Sequence, residues 1–135
     1  MDDELARLRE RRMQEMLAGK EAPPAPAAAV LTATGQNLEA LTRTYPNLVV
    51  DCWAPWCGPC RRVGPVVEAL AGEFAGRIAF AKLNTDEHQQ VARRYGISAI
   101  PTLLLFRSGG LAGQITGAYP IDAMRAELLR AFGLR

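Results

Sequence analysis

Two cysteines three positions apart, Cys57 and Cys60, stand in the run Trp56-Cys57-Gly58-Pro59-Cys60. An apolar, β-branched run precedes them and a helical pattern follows, so both sulfurs fall in the first turn of a helix. Side chains at that spacing lie on one helix face, roughly 5–6 Å apart at Cβ, within a small adjustment of bonding distance. The helix start supplies partial positive charge and free N–H groups, which favour a thiolate at Cys57, expected to be the more exposed sulfur. A thiolate at Cys57 can attack a disulfide, and Cys60 can then resolve the mixed disulfide, leaving a Cys57–Cys60 bond. Pro59 is tolerated there because first-turn amides have no helical partner. Gly58 keeps the approach to Cys57 uncluttered.

The competing chemistry is a zinc site built from Cys52, Cys57, Cys60 and His88. Zinc ligands come in pairs on turns, whereas Cys52 lies mid-strand, so no metal is expected. Side chains alternate along a strand, so Cys52 faces away from Asp51 and serves as a small apolar residue. His88 is expected to be exposed and inert. Asp51, a carboxylate in an apolar strand, is readable both as a satisfied core group and as an acid with a raised pKa.

These residues need a scaffold, and the chain's 135 residues suffice for one ordinary domain. Hydrophobic residues at 49% and charged ones at 22% describe a globular protein. A formal charge of +2 is too small to make nucleic acid or an anionic membrane the main partner. No run of about 18 apolar residues suggests a membrane span. Three cysteines, an odd count with one C-x-x-C, fit a reducing compartment. The acidic start, Met1-Asp2-Asp3-Glu4, does not resemble a signal peptide. A cytoplasmic monomer is the expectation.

Residues 1–20 read as a charged amphipathic helix with a thin stripe of Leu5, Leu8, Met13, Met16 and Leu17. Residues 21–27, with Pro23, Pro24 and Pro26, read as a semi-rigid linker. The folded domain is placed at 28–135. There, Val30-Leu31 ends a short strand, 36–44 suits a helix and 48–53 a strand covered on both faces. Val63, Val66, Val67, Leu70 and Phe74 mark a helix from Gly58, with Pro65 inside it. Residues 78–83 form a strand, 86–95 a helix, and 102–106 and 111–116 a hairpin about Ser108-Gly109-Gly110. Met124, Leu128 and Phe132 mark a final helix. The order βαβαβαββα implies an α/β fold, three layers deep, with parallel pairing wherever a helix separates two strands and an antiparallel hairpin at the edge.

Three stretches carry a resemblance: Val50 to Cys60, then Ala81-Lys82-Leu83-Asn84, then Tyr95 to Leu103 with Ile100-Pro101-Thr102. In order and spacing they resemble the thioredoxin family over about residues 28–135. The resemblance implies the thioredoxin fold and a protein-disulfide reductase that needs no cofactor beyond its own reversible disulfide. Its implied partners are disulfide-containing client proteins and a thioredoxin reductase. Asp51 matches the family's buried acid, which takes the proton of Cys60, and Lys82 the lysine near it. Pro101 matches a proline preceded by a cis bond, and Ile100 would offer its backbone to an extended client. Gly117 matches a glycine lining the same groove, and Trp56 would flank Cys57 and cover the client, beside Gly58 and Pro59. The Gly-Pro dipeptide resembles reducing members, since oxidases and isomerases of this fold typically carry histidine there. Two departures stand out: Cys52 replaces a usual aromatic residue, and the segment before Val30 is additional.

Overall fold

A computed structural model describes residues 2–17 and 29–135. Helix α1 spans Asp2–Leu17, and its Leu5 and Leu8 are exposed. The expected linker at 21–27 and the side chains of Met13, Met16 and Leu17 lie outside the described residues.

From Val30 the elements are β1 (Val30–Thr32), α2 (Leu38–Thr44), β2 (Asn47–Trp53), α3 (Gly58–Glu73) and β3 (Ala79–Asn84). Then come α4 (Gln89–Arg94), β4 (Thr102–Arg107), β5 (Gly110–Thr116) and α5 (Ile121–Ala131). The five strands form one sheet in the order β1-β3-β2-β4-β5. The expected element order holds, with ends shifted by a few residues. The largest shift is at α4, where residues 85–87 form a turn rather than helix.

Strand β2 is central, and its alternation builds two cores. Val49 faces α3 and α5, packing with Val63, Val67, Leu70, Phe74, Met124, Leu128 and Phe132. Leu48, Val50 and Cys52 face α2 and α4, packing with Leu38, Val91 and Phe106. Each large side chain so buried contributes about 1.5–3 kcal/mol. Asp51 shares the face of Val49 and so points toward α3, while Cys52 lies on the opposite face, as expected. Helix α3 continues through Pro65. Glu73 near its end binds Arg125 of α5, whose Nε donates to Oε2 at 2.7 Å.

One expectation fails. The connection from β3 through α4 to β4 is not a parallel crossover, because β4 runs antiparallel to β2, pairing Cys52 with Thr102. Length bears on it. Strand β3 travels roughly 20 Å at about 3.3 Å per residue, whereas α4, six residues long, climbs only about 9 Å. The helix by itself does not carry the chain back along the sheet, and the seven residues 95–101 that follow it lead into β4 from the end where β2 finishes. The chain re-enters at the edge where β2 and β3 end, and the start of β4 joins the ends of β2 and β3 there.

His88 also departs from expectation. It is half-buried, and its Nδ1 accepts the Gly35 N–H at 3.2 Å, tying the β1–α2 loop to the start of α4. The polar neighbours Asp86, Glu87 and Gln89 carry no signal for such a bond, which joins positions 53 apart. His88→Ala is expected to cost about 0.5–1 kcal/mol in urea unfolding and to speed exchange of the Gly35 amide. Unchanged exchange there would remove the bond from the account.

Candidate active site

Cys57 is the N-cap of α3, with φ −86° and ψ 110°, and Pro59 sits in the first turn. An N-cap side chain accepts from amides two or three positions on. Here the Cys57 Sγ accepts the Cys60 N–H at 3.2 Å. The donor that would hold a thiolate is therefore already aimed at the sulfur. No acidic residue lies in the first turn of α3 to offset the positive helix end. A turn bond from the Cys57 N–H to the Ala54 carbonyl, 3.1 Å, sets the approach from β2.

Cys57 and Cys60 form a disulfide, Cα to Cα 5.3 Å. Ala54 is buried with the pair, and Trp53 and Ile100 pack against it. This cover reverses the expected exposures: Cys57 is 3% exposed and Cys60 7%. Trp53, at the end of β2, and Ile100, just before β4, are part of that cover.

The Ile100 side of that cover follows from the antiparallel entry of β4. The Ile100–Pro101 bond is cis and lies one residue before β4. The Gly117 N–H, just past β5, donates to the Pro101 carbonyl at 2.9 Å. Gly117 has φ +115°, a region side chains avoid, and a Cβ there would meet the Tyr119 ring at 3.5 Å. Ile100, Pro101 and Gly117 thus come together beside the disulfide. Gly58 and Pro59 are exposed on its other side.

Trp56 is 70% exposed yet anchored. Its indole N–H donates to both carboxylate oxygens of Asp86, at 3.2 and 3.0 Å. Asn84 Oδ1 accepts the Asp86 N–H at 2.9 Å, and Thr85 donates its N–H and hydroxyl to the Trp53 carbonyl at 2.9 and 3.0 Å. Sequence reading missed this Asn84–Asp86 support. The nearest signal was Asn-Thr-Asp directly after a strand, a turn composition that names no partner.

Asp51 and Lys82 pair across β2 and β3, and both line a cleft with Cys60. Asp51 is 5% exposed and its Oδ1 has no hydrogen-bond partner. Burial pushes its carboxyl up from 3.8 to about 6, against the opposing pull of the Lys82 charge. It is thus poised to exchange a proton near neutrality. Cys52 is the opposite case. Burial, and then the charge of Asp51, push its thiol up to about 12. It is fully buried and holds its proton at any physiological pH. Among the described residues no cluster of His, Cys, Asp and Glu could hold a metal ion.

Comparison with known proteins agrees with this geometry. The thioredoxin family model matches residues 29–130. The chain is 48% identical over 102 residues to thioredoxin 1 of a Nostoc species, an alignment covering 76% of this chain and 94% of that one. It is 43% identical over 97 residues to thioredoxin 2 of Chlorobaculum tepidum, covering 71% and 89%. Among solved structures, a mutant thioredoxin from Halobacterium salinarum superposes with a TM-score of 0.74 at 33% identity, over 82% of this chain and 97% of that one.

Proposed function

Because the chain belongs to the thioredoxin family and is a thiol–disulfide oxidoreductase, we propose that it reduces client disulfides with Cys57 as nucleophile and Cys60 as resolving thiol. The observation that carries this assignment of roles is the Cys60 N–H aimed at Cys57 Sγ at the head of α3. Only Cys57, as N-cap, receives such a donor from within the pair.

In the reduced protein the Cys57 thiolate attacks one sulfur of a client disulfide. A Cys57–client bond forms, the client S–S bond breaks, and the other client sulfur leaves as a thiolate that takes a proton from water. Asp51, ionised above about pH 6, accepts the Cys60 proton. The Cys60 thiolate then attacks Cys57 Sγ, the second client sulfur leaves, and the Cys57–Cys60 disulfide remains. Two electrons have passed to the client. Lys82 steadies the Asp51 charge across the strand pair. Trp56, held by Asp86, covers one side of the client, and Ile100, Pro101 and Gly117 line the other, where an extended segment can bond to backbone. A thioredoxin reductase restores the dithiol.

The setting we propose is the cytoplasm, which the single redox pair and the inert third cysteine support. The protein acts as a monomer, since the face carrying Trp56 must stay open to clients, and it needs neither nucleic acid nor membrane. Insulin reduction in dithiothreitol tests the reading. The wild-type protein at micromolar concentration is expected to accelerate precipitation of the reduced chains well above dithiothreitol alone. An unchanged rate would overturn the reductase assignment.

A further inference from the structure

Among the described residues two aromatic side chains are exposed, Trp56 and, at 48%, Tyr119. Trp56 has a place beside the disulfide. Tyr119, in the connection from β5 to α5, has none in the mechanism. Its ring folds back over Gly117, where a Cβ would meet ring carbons at 3.5 and 3.8 Å. The bare glycine leaves room for that ring, and its N–H holds the Pro101 carbonyl. Tyr119 is therefore the next surface beyond Pro101 and Gly117.

Beside the ring lies a hollow of about 290 Å³ between β5 and α5. Ile115 and Met124, both buried, close its floor, while Thr116, Tyr119, Ala123 and Glu127 stand exposed at its rim. Thr116 pairs with Thr102, the residue after Pro101, so the hollow adjoins the client groove at Gly117. The Glu127 carboxylate is already engaged by Arg130 at 2.8 Å. An accessible aromatic wall, an apolar floor and a carboxylate with its own cation fit an uncharged ring better than a charged side chain. Such a ring can stack on Tyr119 or meet it edge to face. Tyrosine and tryptophan are also prominent among the side chains that anchor partners at interfaces.

We propose that this hollow is a client subsite: it takes an aromatic side chain about three or four residues from the client's reacting cysteine. The distance follows from the sheet. Pro101 to Gly117 is one strand spacing, about 4.8 Å, the Tyr119 ring covers about as much again, and an extended client advances about 3.3 Å per residue. The subsite rests on the reading that clients run past Ile100, Pro101 and Gly117. It adds affinity and takes no part in the exchange itself, which stays with Cys57 and Cys60.

Short synthetic peptides with a central cysteine, capped as a mixed disulfide with 2-mercaptoethanol, provide the test. Phenylalanine, alanine or lysine is placed at each flanking position in turn. The full chain, reduced beforehand and freed of other thiols, is mixed with each peptide and the second-order rate constant is read. Phenylalanine at the stated distance, on one side of the cysteine, should raise it about fivefold over alanine, on the scale of an aromatic contact. Lysine there should give no such gain. Tyr119→Ala should abolish the difference between the phenylalanine and alanine peptides, and Tyr119→Phe should keep it. Both variants should retain the circular dichroism of the wild type, since the ring is exposed. Equal rates for all peptides, with every one reduced, would overturn the subsite and leave the reductase reading standing. A phenylalanine advantage retained in Tyr119→Ala, or a larger gain from lysine, would overturn it too. If the wild type reduced none of the peptides, the reductase reading would fall and binding would still decide the hollow. With the peptide cysteine replaced by serine, the phenylalanine peptide should shift the Thr116 and Ala123 amides of the 15N-labelled chain saturably, and the alanine peptide should not. Amides unmoved by the phenylalanine peptide would remove the subsite whatever the rates.

Discussion

With Cys57 replaced by serine, the reduced protein mixed with insulin in the absence of other thiols releases no insulin chains. Cys60→Ser instead gives one covalent adduct per molecule. A serine hydroxyl at the head of α3 receives the same Cys60 N–H, but it does not ionise near neutrality and cannot attack sulfur. A fall of roughly a thousandfold or more is the scale for losing a nucleophile. In Cys60→Ser the attack proceeds, because Cys57 keeps its position as N-cap and its helix field. The second displacement then has no sulfur to perform it. Intact-mass spectrometry reads the outcome as the mass of the chain plus an insulin chain, reversed by dithiothreitol. Adduct formation through Cys60 in the Cys57→Ser variant would exchange the two roles. The near-equal burial of the two cysteines makes that a real alternative for the experiment to exclude.

Asp51→Asn is expected to stabilise the fold and slow the chemistry at once. Burial raises the Asp51 carboxyl from 3.8 to about 6, so the folded chain holds this proton more tightly than the unfolded one. Below pH 3.8 the group is neutral in both states and costs nothing. As pH rises from 3.8 toward 6 the unfolded chain ionises first and folding stability falls. Above about 6 the full penalty applies, about 3 kcal/mol at 1.36 kcal/mol per pKa unit. Asparagine, of the same shape and never charged, removes it. Urea unfolding at pH 8 should show the variant about 3 kcal/mol more stable than wild type, and at pH 3 nearly equal to it. A gain independent of pH would mean that packing, not charge burial, is responsible.

The same substitution removes the base we propose. Loss of general-base assistance typically costs 10²–10⁴-fold, so resolution of a preformed mixed disulfide should slow by about a hundredfold at pH 7. Wild-type resolution should also decline as pH falls below about 6, the range where Asp51 takes up its proton. The asparagine variant should lack that decline. On the proposed mechanism, the destabilising acid at the centre of β2 is the cost of its proton chemistry.

Local pattern carried much of this protein. Helix α3 is legible in the spacing of Val63, Val67, Leu70 and Phe74, β2 in an unbroken apolar run, and the redox pair in Cys57-Gly58-Pro59-Cys60. The opposed faces of Asp51 and Cys52 follow from strand alternation alone. These features depend on residues within a turn or a strand of one another, so side-chain type and period suffice to specify them. The resemblance supplied Ile100, Pro101 and Gly117 as neighbours of the pair, which their positions 40 to 60 residues downstream do not reveal.

Tertiary structure decided the rest. Whether β4 returns parallel or antiparallel is settled by its pairing with β2, Cys52 opposite Thr102. That pairing places Pro101 beside the disulfide. The cover over the pair depends on Trp53 and Ile100 packing against it, contacts between the ends of strands that only the sheet order brings together. The Trp56–Asp86 and Gly35–His88 bonds join residues 30 and 53 apart. A donor without a local acceptor finds whatever the fold places within reach, and no periodicity records that choice. The raised pKa of Asp51 is shared between both levels. The apolar strand around it is written in the sequence, but the missing partner at Oδ1 exists only where β1, β2 and α3 meet.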